Sequence, residues 1–327
     1  MFKIKFEFHI HINKGEEVSK KEQQISCDQN FFDFAQQEMD RALNNQCFST
    51  ARNYGTAARS LKHFLGKDDL TVDEIDGNLM ESYEKWLRRN EISLNTIACY
   101  MGSLRAIYNK AVEKELTTQK HPFRKVFTGT TKTEKRAISE QDINSIQALS
   151  LRAGSFSELA RDIFLFCFYA LGMPFVDVAF LKKSQIKNGE LTYHRHKTGQ
   201  PIHVQIEPCM KKIMERHNNP DSPYVFPLLK EDEPEEMYKK YVQLLGRYNR
   251  ALKSLAKKAK LKHHISSYVV RHSWASIAYQ QNIELPIISK ALGHTNSKTT
   301  LIYIRELNNR LLAAANRKIL KKFTKRF

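Results

Sequence analysis

Hydrophobic and polar residues alternate strictly at the start of the chain: Phe2, Ile4, Phe6, Phe8, Ile10 and Ile12 stand against Lys3, Lys5, Glu7, His9 and His11. A period of two marks a half-buried strand. A lone hairpin is marginal in water, so this stretch reads as a small appended β module. From Phe31 the pattern turns helical. Phe31 to Ala42 is amphipathic, and Ser49 is expected to cap a second helix, Thr50 to Leu65, with Tyr54, Ala58, Leu61 and Leu65 on one stripe. Asp73 or Asp76 opens a third helix carrying Leu79, Tyr83, Trp86 and Leu87. Ser93 starts a fourth with Ile97, Met101, Leu104, Ile107 and Tyr108 inward. Together these predict a helical bundle of about a hundred residues.

Periodicity then stops. Thr117 to Arg136 is polar and basic, which reads as a linker that would let two domains close around a ligand. Ser139 caps Glu140 to Leu149, with Asp142 at the capping-box position. Ser157 to Leu171 is apolar enough for a core helix, Gly172 to Asp177 turns the chain, and Val178 to Leu181 leads toward short strands. Glu190 to His196 and Ile202 to Ile206 form a β-hairpin with Lys197 at its turn. Glu207 to Asn218 and Met237 to Lys260 are helices, the second ending in a dense run of lysines. Leu285 to Ala291 is a helix stopped by Gly293, and Asn296 to Lys298 reopens one carrying Thr300, Tyr303 and Leu307 on one side. Arg305 to Phe327 is a last, amphipathic helix with a basic finish. The expected division is 1–28, an N-terminal β extension; 29–116, a helical domain; 117–136, a linker; and 137–327, an α+β domain. The whole is mainly α with a small β-sheet.

Composition adds a partner. The 327 residues carry a formal net charge of +18, with Lys and Arg spread along the chain, which suits a long contact with a polyanion, most simply double-stranded DNA. Arg52, Arg59, Lys62, Arg105 and Lys110 on the outer helix faces are candidate phosphate contacts. Five scattered cysteines without a CxxC pair point to reduced thiols, and no run reaches the length of a membrane span, so a cytoplasmic protein is expected. His9 with His11, and His194, His196 and His203 on the hairpin, are weak grounds for a metal site, and no metal or cofactor is expected.

Candidate chemistry gathers near the C-terminus. Arg271-His272, then Leu292-Gly293-His294, then Tyr303 supply a guanidinium fork for phosphate oxygens, imidazoles and a phenol nucleophile. This order and spacing resembles the tyrosine recombinase (phage integrase) family, including integrases of Bacteroidetes-type mobile elements, and Lys197-Thr198-Gly199 matches the family's hairpin lysine. The resemblance implies a SAM-like core-binding domain ahead of the catalytic domain, with residues 1–28 a reduced arm-binding module. It also implies a site-specific recombinase in which Tyr303 forms a 3′-phosphotyrosyl link. Arg271 and His294 would hold the phosphate, Lys197 would protonate the leaving oxygen and His272 would support them. A homotetramer on DNA, joined through the tail helix, comes with the family.

Two positions depart from the family's pattern. Pro174 stands where the family has its first catalytic arginine, and Tyr268 where it has His or Lys; Asp177 does match the acidic residue that follows. Losing one guanidinium from a dianionic transition state costs several kcal/mol. Arg161 is the first candidate replacement, although a straight helix would hold it about 20 Å from the turn; Arg152 and Arg195 are the others. The competing functions are a catalytically impaired DNA-binding protein on the same scaffold and a type IB topoisomerase.

Overall fold

A computed structural model describes residues 29–131, 137–230, 232–294 and 300–301 of the chain. The expected N-terminal strand, the helix around Tyr303 and the tail helix lie outside the described residues. The chain divides into two compact units, residues 1–131 and 132–327.

The first unit is helical: α1 (Phe31–Asn44), α2 (Phe48–Leu65), α3 (Gly77–Arg89) and α4 (Leu94–Glu113). The starts follow side-chain caps. Asn30 accepts from the backbone of Phe32 and Asp33, Asp76 from Leu79 and Ser93 from Thr96, each quenching an N–H that has no partner inside its helix. α2 differs from expectation. It begins at Phe48 with Cys47 as its cap, because Cys47 N bonds Ala42 O and closes the α1–α2 turn two residues before Ser49. Phe31, Leu61, Met80, Tyr83, Ile97, Met101 and Ile107 meet in one core. Removing a buried side chain of this size, as in Leu61→Ala, costs about 2–5 kcal/mol. The stretch expected to start a linker is part of this packing. Phe123 and Val126 are buried in the same core, and Tyr108 Oη both donates to Thr118 O and accepts from Lys120 N.

In the second unit α5 (Glu140–Gln147) opens with the Ser139–Asp142 capping box. α6 (Phe156–Tyr169) is buried nearly all round, as its apolar sequence requires. Pro174 caps the short α7 (Phe175–Ala179), where the sequence suggested only a lead-in to strands. Strands β1 (Ile186–Lys187), β2 (Glu190–His194) and β3 (Pro201–Gln205) form an antiparallel sheet in that order. Leu191 pairs with Val204 and Tyr193 with Ile202, so these four face the core while His194 and His203 face out. Next come α8 (Pro208–Arg216), α9 (Pro234–Lys258), α10 (Val269–Gln280) and α11 (Leu285–Ala291). α9 lies along α6 and α7, and Tyr248 stacks on Phe175 with ring centroids 4.2 Å apart.

Candidate active site

α10 turns its buried face, with Val270, Ala275 and Ala278, toward the core, and Arg271 lies on that face only 1 % exposed. A buried guanidinium must find acceptors. Arg271 Nη1 donates to Gly172 O at 3.2 Å, and Nη2 donates to Leu292 O and to His294 Nε2, the latter at 3.1 Å. Gly172 brings its carbonyl this near because it has no side chain. A Cβ there would sit 3.1 Å from Arg271 Cα, and its φ of 70° is left-handed.

The carbonyl of Leu292 is presented by the end of α11. Gly293 N bonds Lys290 O and His294 N bonds Ser289 O, a Schellman closure with Gly293 at φ 62°. A Cβ on Gly293 would meet Ile202 Cδ1 at 2.8 Å and the stem of Arg195 at 3.3 Å, so the turn presses directly on the hairpin. The His294 ring accepts from Arg271 at Nε2; its proton therefore sits on Nδ1 and is given to the Thr300 hydroxyl at 2.9 Å. Burial, then the positive charges of Arg271, Arg195 and Lys197, push the His294 pKa down to about 4. Three cations thus make themselves felt at one imidazole.

Arg195 comes from the hairpin, one residue beyond β2. It is 5 % exposed, and its Nη1 donates to Leu292 O at 2.6 Å, the oxygen that Arg271 also uses. Its Nε donates to Asp177 Oδ2 at 3.2 Å, while Asp177 Oδ1 accepts His196 N at 2.9 Å. Asp177, buried in α7, therefore fixes the start of the turn on which the exposed Lys197 stands. Strand alternation carried the signal for Arg195: Leu191, Tyr193 and Arg195 lie two apart, and the first two face the core.

Arg161, the first candidate to replace the missing arginine, is engaged in a different cluster. It donates through Nε to Asp162 Oδ1 and through Nη1 to Leu149 O, both at 2.8 Å. Arg216 Nη1 and His217 Nε2 complete the set on Asp162 Oδ2. Burial alone would raise the Asp162 carboxyl, yet hydrogen bonds from His217, Arg161 and Arg216 hold it at about 2. Among the described residues Arg161 is thus engaged with Asp162 and Leu149, not with Arg271 or His294. His272 is half-buried, its ring edge-on to that of Tyr268 at 5.5 Å. Tyr303 lies outside the described residues.

The candidate phosphate contacts of the first unit differ from one another. Arg52, Arg59 and Arg105 are exposed, and Arg59 donates to the Thr56 hydroxyl at 3.5 Å. Lys62 pairs with Asp68 at 3.0 Å, and Lys110 with the buried Glu38 at 2.8 Å. Among the described residues no group of three or more His, Cys, Asp or Glu could hold a metal ion, and no helix is long and apolar enough to cross a membrane.

Residues 30–127 match the phage integrase SAM-like domain and residues 136–310 the phage integrase family. A tyrosine recombinase of Thermosipho africanus is 23 % identical over 278 residues, covering 78 % of this chain and 88 % of the relative. A λ integrase dimer bound to a COC′ core site superposes with a TM-score of 0.60 at 13 % identity, over 85 % of this chain and 77 % of that one. The Tn1549 transposon integrase in complex with a circular intermediate DNA gives a TM-score of 0.62 at 13 % identity, over 89 % and 99 % of the two chains. At such identities the structural likeness speaks for the fold.

Proposed function

Because the chain belongs to the phage integrase family of tyrosine recombinases, we propose that it is a site-specific DNA recombinase whose pocket is built on Arg271, Arg195, His294 and Lys197. One observation carries the assignment of the pocket. Two guanidiniums from distant elements converge on one backbone oxygen beside an imidazole, the arrangement that would grip the non-bridging oxygens of a phosphodiester.

In this reading Tyr303 Oη attacks phosphorus and gives up its proton to solvent water. A phosphorus–tyrosine oxygen bond forms, the bond to the 5′-oxygen breaks, and Lys197 protonates the departing 5′-oxygen. The 3′-phosphotyrosyl link conserves the bond energy, and attack by a 5′-hydroxyl of the partner strand restores the DNA. Arg271 and Arg195 hold the equatorial oxygens as negative charge builds, so Arg195 supplies the guanidinium that Pro174 cannot. An arriving phosphate would take the Arg271 N–H that His294 Nε2 now accepts. Its charge would also raise the imidazole pKa, so that His294 becomes a donor to the same phosphate. Asp177 orients Arg195, and His272 supports α10 beside Tyr268. Arg52, Arg59, Lys62, Arg105 and Lys110 are assigned to the DNA backbone. The partner is double-stranded DNA in the cytoplasm, and the assembly is a homotetramer joined through the tail helix. The units are assigned as a core-binding and a catalytic domain.

The test is a nicked duplex from the flanks of the encoding gene, cut so that the released end diffuses away. A covalent protein–DNA band on a denaturing gel that vanishes in Tyr303→Phe supports the recombinase. Salt-sensitive binding without a band supports an impaired DNA-binding protein. Relaxation of supercoiled plasmid lacking a specific site supports a topoisomerase.

A further inference from the structure

The turn that carries Lys197 is held to the rest of the second unit by the residue just before it. Along β2 and into the turn, Leu191, Tyr193 and Arg195 are buried, so alternation sends His196 outward with His194. Its imidazole does not swing free. His196 N donates to Asp177 Oδ1 at 2.9 Å, and the ring Nδ1 lies 3.4 Å from the same oxygen. The ring also rests against Phe180 with centroids 5.0 Å apart, inside the range of aromatic pairs. Phe180 is backed by Tyr241 of α9 at 5.6 Å, and Tyr241 by the buried Phe175 at 6.2 Å. A half-exposed imidazole is thus seated on a wall of rings that reaches the core.

Asp177 ties this seat to the pocket. Its side chain is buried, Oδ2 accepting from Arg195 and Oδ1 from His196, so one carboxylate grips two successive residues. Beyond them the turn closes on itself. Thr198 N and Gly199 N donate to Arg195 O at 3.3 and 2.8 Å, and Arg195 N donates to Gln200 O at 2.9 Å. Gly199 sits at a left-handed φ of 66°. A turn so closed moves as one piece about its start. Lys197 is exposed, and its Cα is one peptide, about 3.8 Å, from that of His196. How firmly His196 is seated therefore sets where the ammonium can reach. The charge of Lys197 is felt at His294, so the seated turn holds it within electrostatic reach of the pocket.

We propose that His196 is a positioning residue for Lys197: its imidazole, seated on Phe180 beside Asp177, docks the hairpin turn so that the ammonium is aimed at the departing 5′-oxygen; the proposal rests on the recombinase reading above. Full-length parent, His196→Ala and Lys197→Ala would be compared on the nicked duplex and on the same duplex with sulfur replacing the 5′-bridging oxygen at the bond the parent cuts. Sulfur departs as a thiolate and takes its proton from water afterwards, because a thiol is far more acidic than an alcohol. Proton donation by the protein then matters little. On the oxygen duplex Lys197→Ala should form the covalent band about 10²–10⁴ times more slowly, the usual worth of a general acid. His196→Ala should be about ten- to a hundred-fold slower, the scale of loss when a catalytic group is misplaced by about 1 Å. On the sulfur duplex both variants should come within a few-fold of the parent. A His196→Ala defect that persists on sulfur while Lys197→Ala is rescued makes the role a structural one and overturns the proposal. So does a His196→Ala rate equal to the parent's on oxygen. A Lys197→Ala defect that sulfur does not rescue removes the proton-donor assignment and the proposal with it, leaving the recombinase reading intact. A parent that forms no band on the oxygen duplex overturns both.

Discussion

Each unit buries charge, and two of these charges, Glu38 in the first and Arg271 in the second, are accommodated differently. In the first, Glu38 is 2 % exposed and accepts from Arg41, Lys110 and Lys114, so the charge is answered on the spot by opposite charge. Burial would raise its pKa, but the hydrogen bonds from Lys110 and Lys114 lower it. In the second, Arg271 is as deeply buried, and among the described residues it donates to two backbone carbonyls, of Gly172 and Leu292, and to the His294 ring. A neutralised ion joins helices together. Burial first, and after it the field of Arg271 with those of Arg195 and Lys197, depress the pKa of His294. On the recombinase reading proposed above, the contrast would separate buried charge that holds the fold from buried charge held ready for a phosphate.

Arg271→Ala should break the contrast most severely. Covalent complex formation should fall at least a hundred- to a thousand-fold, the usual cost of removing one preorganised donor to developing charge, with partial recovery at best in Arg271→Lys because an ammonium lacks the fork. Rates of band formation on the nicked substrate measure this. Arg195→Ala should lose a similar or somewhat smaller factor, whereas Arg161→Ala should melt at lower temperature and cleave within a few-fold of the parent once folded. Equal losses from the two variants would remove the assignment of Arg195. Glu38→Gln should leave Lys110 and Lys114 facing a neutral amide and destabilise the first unit. Because both lysines are about one-third exposed, about 1–3 kcal/mol is expected, below the full cost of breaking a buried pair; denaturant midpoints report it.

The smallest effect concerns His294. Its folded pKa of about 4 lies below the ordinary 6.5, so between those values the unfolded chain binds the proton and the folded one does not. Stability should therefore fall as pH drops from 6.5 toward 4 and level off below. His294→Gln should remove that part of the pH dependence, and the imidazole resonances of the parent should titrate near pH 4.

What the sequence made legible follows from distance along the chain. The starts at Asp76, Ser93 and Ser139, the hairpin and the Gly293 stop are local, decided by a side chain and the next few backbone groups. Arg271 and His294 stood out for the same reason, inside short motifs. Arg195 could be suspected only from its place in the strand alternation, because its acceptor lies 97 residues away. Arg161 looked available because its position in the chain did not reveal that Asp162, Leu149 and Glu158 surround it. The stretch after Thr117 looked like a linker because it lacks periodicity. Its order comes from Tyr108 and Asp73, which hold it by hydrogen bonds that no periodicity reports.

The shared oxygen of Leu292 also has a consequence for how the protein is made. Its two arginine ligands stand 97 and 21 residues away, and Gly172, another acceptor of Arg271, is 99 residues from that arginine. Contacts closing loops of that length form late, after local helices are in place. During synthesis, which proceeds from the N-terminus, the guanidiniums have no common point to meet until residue 292 has emerged. The pocket is thus expected among the last features the second unit acquires, so a partly synthesised or partly folded chain carries its basic charge without this pocket.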